Sequence, residues 1–132
     1  MKKKILIVMA DYYETISKGL LHNTKKVLQE QFDLISVPGV FEIPVTIAKN
    51  IKKYEGFIAL GCVIKGETPH FDLISKAAID GIMKLSIEYK KPIGNGIITC
   101  LNLKQAIARQ KKGQEAAAAL LSVLNPVKVS AE

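Results

Sequence analysis

Residues 57–64, Phe-Ile-Ala-Leu-Gly-Cys-Val-Ile, are apolar at every position except one glycine, and the run stops at Lys65-Gly66. A strand covered on both faces reads this way, because neither side can be given to water. Ile5–Ala10 is a second unbroken apolar run, while Phe32–Val37 alternates apolar and polar and Ile93–Cys100 contains a fourth strand with Gly94-Asn95-Gly96 at its entry. Between these runs apolar residues recur at helical spacing. They are Ile16, Leu20, Val27 and Leu28 within 15–30, Ile43, Ile47, Ala48 and Ile51 from about Glu42, and Phe71, Ile74, Ala78, Ile82, Leu85 and Tyr89 within 69–89. A further helix is expected from about Asn102 through Arg109, interrupted by Lys111-Lys112-Gly113, and a last one over 114–124. Four alternations of strand and helix predict an α/β fold, an open four-stranded parallel sheet between two helical layers with right-handed crossovers. One domain spanning 1–132 accommodates it.

Composition removes several function classes. The 19 basic and 12 acidic residues give a net charge of +7. The lysines are scattered over helix faces, without interleaved aromatics or a recognition motif, so no nucleic acid is expected and the excess serves to attract anionic substrates. No stretch approaches the ~20 apolar residues of a membrane span, and Met1-Lys2-Lys3-Lys4 leads straight into a strand, so a cytoplasmic protein without membrane contact is expected. Cys62 and Cys100 fit no metal or redox spacing and are expected as buried, reduced thiols; no metal is expected.

The chemistry concentrates in residues 61–70. Gly66 breaks the strand, and Thr68-Pro69 is a helix start, with threonine as cap and proline at the first helical position. Free N–H groups and the helix dipole then face outward beside His70, which suits a phosphate next to a proton carrier. The plainer alternative is a capped helix with a surface histidine. Gly61 and Gly66 have P-loop spacing, but Glu67 stands where the phosphate-binding lysine is needed, so that motif is rejected. Arg109 is the only arginine among the 19 basic residues. A planar, bidentate fork for phosphate or carboxylate accounts for that choice, a chance surface arginine being the alternative.

In open parallel sheets ligands bind beyond the carboxyl ends of the strands, where strand order reverses. Tyr12, Val40, Phe41, Glu42 and the loop to His70 all follow strands and share that edge. Asn95 opens the fourth strand, and a helix running back from that strand is expected to leave Arg109 at the opposite edge. A six-residue strand spans ~20 Å, so joint service of His70 and Arg109 in one site requires a neighbouring subunit to supply one of them.

Val37-Pro38-Gly39-Val40-Phe41-Glu42-Ile43-Pro44, Gly66-Glu67-Thr68-Pro69-His70-Phe71-Asp72 and Gln105-Ala106-Ile107-Ala108-Arg109 together resemble the lumazine synthase family. The resemblance spans nearly the whole chain. It implies a flavodoxin-like three-layer sandwich and the condensation of 5-amino-6-(D-ribitylamino)uracil with 3,4-dihydroxy-2-butanone 4-phosphate to 6,7-dimethyl-8-ribityllumazine, the penultimate step of riboflavin biosynthesis. No cofactor is implied. Sites between adjacent subunits of a homopentamer, or of an icosahedral shell of pentamers, are implied, and riboflavin synthase is left open as a partner. By motif, His70 matches the proton-transfer histidine, Glu67 and Thr68 the phosphate loop, and Arg109 the neighbour's phosphate ligand, with Lys112 the nearest match to a loop lysine. The pyrimidine side falls on Val40, Phe41, Glu42, Cys62, Val63 and Ile64, with Tyr12 as the stacking ring.

Asp11-Tyr12-Tyr13 replaces the common Arg-Phe-Asn, and Asn95 stands where many members carry a second aromatic, so on the pyrimidine side the neighbour's lid is expected to be weaker or hydrogen-bonded through Asn95. Little chain precedes the first strand, which favours a free pentamer over a shell. Two other readings compete with this one. A non-catalytic lumazine or flavin binder has no use for both His70 and Arg109, and a response-regulator-like switch lacks its acceptor aspartate after Val63-Ile64-Lys65.

Overall fold

The computed structural model describes residues 4–66 and 69–130. Its elements are β1 (Ile5–Ala10), α1 (Glu14–Val27), β2 (Phe32–Val37), a 3-10 turn (Val40–Glu42), α2 (Ile43–Asn50), β3 (Gly56–Ile64), α3 (His70–Tyr89), β4 (Ile93–Cys100), α4 (Leu103–Ala108) and α5 (Lys112–Leu124). All strand pairs are parallel, in the order β2-β1-β3-β4. The chain steps from β1 outward to β2, then returns past β1 to β3 and on to β4. With right-handed crossovers that reversal puts α1 on one face and α2 and α3 on the other.

Side chains alternate across the strands and so feed two cores. Ile5, Ile7, Ile58, Leu60 and Ile98 pack with Ile16, Leu20, Ala106, Ala117 and Leu120 of α1, α4 and α5. On the other face Leu6, Val8, Phe57, Ala59 and Ile97 pack with Ile43, Ile47, Ala78 and Ile82 of α2 and α3. Ile7 and Leu60 are fully enclosed, and each such side chain stabilises the fold by about 1.5–3 kcal/mol. A Cβ on Gly113 would stand 2.1 Å from the Leu20 carbonyl oxygen, so this glycine is what lets α5 start directly against α1. Thr24 seals the contact by donating to the Gly113 carbonyl at 3.2 Å.

The predicted strands and three-layer flavodoxin-like architecture are those observed; several helix limits differ. Leu28 leaves helical geometry (φ −80, ψ 109) and turns its side chain into the core, which stops α1 at Val27. Ala48 and Tyr89, expected in buried stripes, are exposed. The Pro69 carbonyl accepts the Leu73 N–H at 3.1 Å, which makes Pro69 the cap and His70 the first helical residue. Glu67 and Thr68 lie outside the described residues. Asn102 accepts the Gln105 N–H at 2.9 Å while Gln105 accepts the Leu101 N–H at 2.8 Å, a reciprocal closure of the α4 start. The break between α4 and α5 falls at residues 109–111, so α5 begins at Lys112 with Gly113 inside it, two residues before the expected start.

Candidate active site

At the reversal of strand order β3 outruns its neighbour. The last β1–β3 pair is Met9 with Leu60, whereas β3 continues beside β4 as far as Ile64 with Cys100. The Lys65 N–H donates to the Cys100 carbonyl and the Gly56 N–H to the Lys4 carbonyl. Backbone direction alternates along a strand, so Cys62 and Ile64 turn their N–H and C=O toward the side where β1 has ended, while Val63 turns toward β4. Of the three residues expected at the pyrimidine edge, two thus turn backbone groups toward the crevice; the third is committed to the sheet. A Cβ on Gly61 would lie 2.6 Å from Val40 Cγ1, so the crevice floor closes only over a glycine. Val40 itself is 4% exposed and belongs to the core.

The Cys62 thiol is pushed up to about 12 by burial, with Cys100 beside it adding to the shift. It stays protonated and contributes wall rather than nucleophile. Both cysteines are free and buried, as expected.

Three loops rim the crevice. After β1, the Asp11 N–H donates to the Val37 carbonyl at 2.9 Å and the Asp11 carboxylate accepts the Ser36 hydroxyl at 2.8 Å. Ser17 Oγ donates to the Ala10 carbonyl. On this pinned loop Tyr12 stands 75% exposed, edge to face with Tyr13 at 4.9 Å. After β2, Glu42 Oε1 accepts the Gly39 N–H at 3.0 Å, which fixes the carboxylate and leaves its second oxygen for a ligand hydroxyl. Phe41 is 59% exposed and, with Glu42, Pro44, Val45 and Ala77, borders a groove of about 360 Å³ between α2 and α3. After β3, His70 opens the 20-residue α3, exposed among its first N–H groups.

Arg109 and Asn95 lie elsewhere, and Arg109 not where expected. Six-residue α4 rises only ~9 Å against the ~26 Å of eight-residue β4. The returning chain therefore stops part way down, and Arg109 Nη1 donates to the Thr99 carbonyl at 3.0 Å, next to the end of β4. Arg109 thus sits on the flank of the sheet rather than at its opposite edge, and the 20 Å separation along the strands does not apply. Asn95 lies on the same flank, its Oδ1 accepting the Ile97 N–H at 3.0 Å. Both line an open groove of about 550 Å³ with Ile97, Thr99 and Lys112. The Lys112 ammonium is 3.6 Å from Glu115. Among the described residues no group of three or more His, Cys, Asp or Glu is placed to hold a metal ion, and no helix is long and apolar enough to cross a membrane.

Sequence reasoning did not single out Tyr13 or the Thr99 carbonyl. A tyrosine at a helix cap, where Ser, Thr, Asp or Asn is favoured, was the available signal for the first. The second is backbone and carried none.

Fold and crevice define a flavodoxin-like α/β protein with its ligand edge at the point where strand order reverses. The family model for 6,7-dimethyl-8-ribityllumazine synthase matches residues 2–128. A protein of that name from Bartonella bacilliformis is 44% identical over 118 residues, 84% of this chain and 78% of the relative. Another from Agrobacterium fabrum is 41% identical over 138 residues, 93% of each chain. The chain belongs to the 6,7-dimethyl-8-ribityllumazine synthase family.

Proposed function

We propose that this protein condenses 5-amino-6-(D-ribitylamino)uracil with 3,4-dihydroxy-2-butanone 4-phosphate to 6,7-dimethyl-8-ribityllumazine, releasing phosphate and water, as a transferase of riboflavin biosynthesis. The observation that carries this reading is the family match over residues 2–128, which includes the crevice loops and Arg109. The pyrimidine lies between Tyr12 and the free backbone of Cys62 and Ile64, with Glu42 accepting from ribityl hydroxyls. The phosphate sits at the first turn of α3, where N–H groups and the dipole favour an anion. His70 moves protons as the imine forms, phosphate leaves and the ring closes, work suited to an imidazole, which can both give and take a proton.

Arg109, carried on the β4 flank, serves the crevice of an adjacent copy, so the working form is a homo-oligomer, a pentamer in this reading, acting in the cytoplasm. The exposed Leu73, Met83 and Ile87 on α3 and Ile107 on α4 support a covered flank. Mixing purified protein with both substrates and following lumazine fluorescence tests the proposal. Product formation well above the uncatalysed background supports it; product binding without turnover would leave only a binder.

A further inference from the structure

An exposed tyrosine ring on a loop ordinarily samples several rotamers, and a stacking surface that must be ordered at each binding event loses affinity for it. Tyr12 is 75% exposed, yet its surroundings restrict it. The backbone on either side is held by Asp11 N–H to Val37, by Ser36 to the Asp11 carboxylate and by the Ser17 N–H to the Tyr13 carbonyl at 2.9 Å. What limits the ring itself is Tyr13, whose ring meets it at 4.9 Å and 80°.

Tyr13 is also out of place by local rules. It occupies the cap position of α1 with no side-chain capping bond, although a short polar residue there stabilises a helix start. Departures from local preference without a local gain collect at functional sites. The Tyr13 ring packs on the α1-side core, so it is anchored where Tyr12 is not. Burial, then Tyr12 and Cys62, raise its phenol above the ordinary value, which leaves it neutral and without a proton-transfer role.

We propose that Tyr13 is a positioning residue, holding the Tyr12 ring upright as a pre-set stacking surface for the pyrimidine; this rests on the function proposed above. An edge-to-face pair of this kind contributes enough beyond burial to change a binding constant about two- to tenfold.

The test uses the full-length protein and 6,7-dimethyl-8-ribityllumazine as a fluorescent probe, with KM for each substrate measured alongside. Tyr13→Leu should raise the lumazine Kd and the pyrimidine KM about three- to tenfold, leaving kcat and the KM for the butanone phosphate within twofold. Tyr13→Phe should restore wild-type binding. If Tyr13→Leu does not fold, Tyr13→Met replaces it. In a Tyr12→Ala background the Tyr13 substitution should have no further effect, because its action runs through that ring. Additive losses in that cycle, equal losses for both substrates, or a Tyr13→Phe as poor as Tyr13→Leu would each overturn the proposal. Unchanged lumazine binding in Tyr12→Ala alone would instead overturn the placement of the pyrimidine.

Discussion

The crevice at the ends of β1 and β3 and the flank of β4 carry comparable polar groups but treat them differently. In the crevice, loop hydrogen bonds fix the frame and leave functional atoms over: the second Glu42 oxygen, the Tyr12 face and the backbone of Cys62 and Ile64. On the flank the groups turn back onto their own strand, Asn95 to Ile97 and Arg109 to Thr99. An open sheet edge invites pairing with other chains, and side chains that occupy it blunt that hazard. The flank is thus a capped edge with cations on its outer side, whereas the crevice keeps polar groups turned outward from its frame. The function proposed above uses both by completing the site between copies.

The crevice side of that contrast makes the largest prediction. Cys62 supplies backbone only, and its thiol, at about 12 rather than the usual ~8.5, stays protonated well above neutral pH. Alkylation of Cys62 by iodoacetamide at pH 8 in the native protein should be about a thousandfold slower than for free cysteine. The sign also sets a stability trend. The unfolded thiol ionises first, so this group's contribution holds below about pH 9 and declines as pH rises from there toward 12. Rapid native labelling would place the thiol in the site.

Next in size, His70→Ala should slow turnover about a hundredfold, the low end for general acid–base catalysis, with Kd for lumazine little changed. An unaltered rate at saturating substrate would leave the crevice without its proton carrier. From the flank, Arg109→Lys should weaken the butanone phosphate by about 1.5–3 kcal/mol and spare the pyrimidine, since the planar fork is lost and the charge kept. Coassembly sharpens the comparison. Subunits bearing His70→Ala unfolded and refolded with subunits bearing Arg109→Ala should regain about a quarter of wild-type activity if crevice and flank meet between copies, and none if each copy serves itself.

The strands were legible because strands covered on both faces announce themselves as apolar runs, and Ile5–Ala10 was read to the residue. The crevice was legible in outline for a related reason: Tyr12, Phe41, Glu42 and His70 each follow a strand, and parallel topology sends all such loops to one edge. Arg109 was misplaced because its height depends on how far α4 runs, which no periodicity in six residues can fix. The hydrogen bond of Asn95 to Ile97 was illegible for a different reason. Whether an asparagine faces a ligand or closes on the N–H two residues ahead depends on its strand being at the edge, a property of sheet order rather than of local sequence.

Asn95 therefore decides which half of the comparison holds, through the smallest effect. As an edge cap its loss leaves one N–H, that of Ile97, to be taken up by water, so Asn95→Ala should lower stability by about 0.5–1 kcal/mol, a fall in Tm of ~2–4 °C for a chain of this size. The pyrimidine KM should move about twofold or less, because the Oδ1 that could have met a ligand is already occupied by Ile97 at 3.0 Å. Asn95→Asp keeps that acceptor and should hold the wild-type Tm while adding a charge to the flank. The opposite pattern, an unchanged Tm with a tenfold weaker pyrimidine, would mean that Asn95 releases its own strand when two copies meet and joins the neighbour's crevice. The flank would then be a latent part of the site rather than a closed edge.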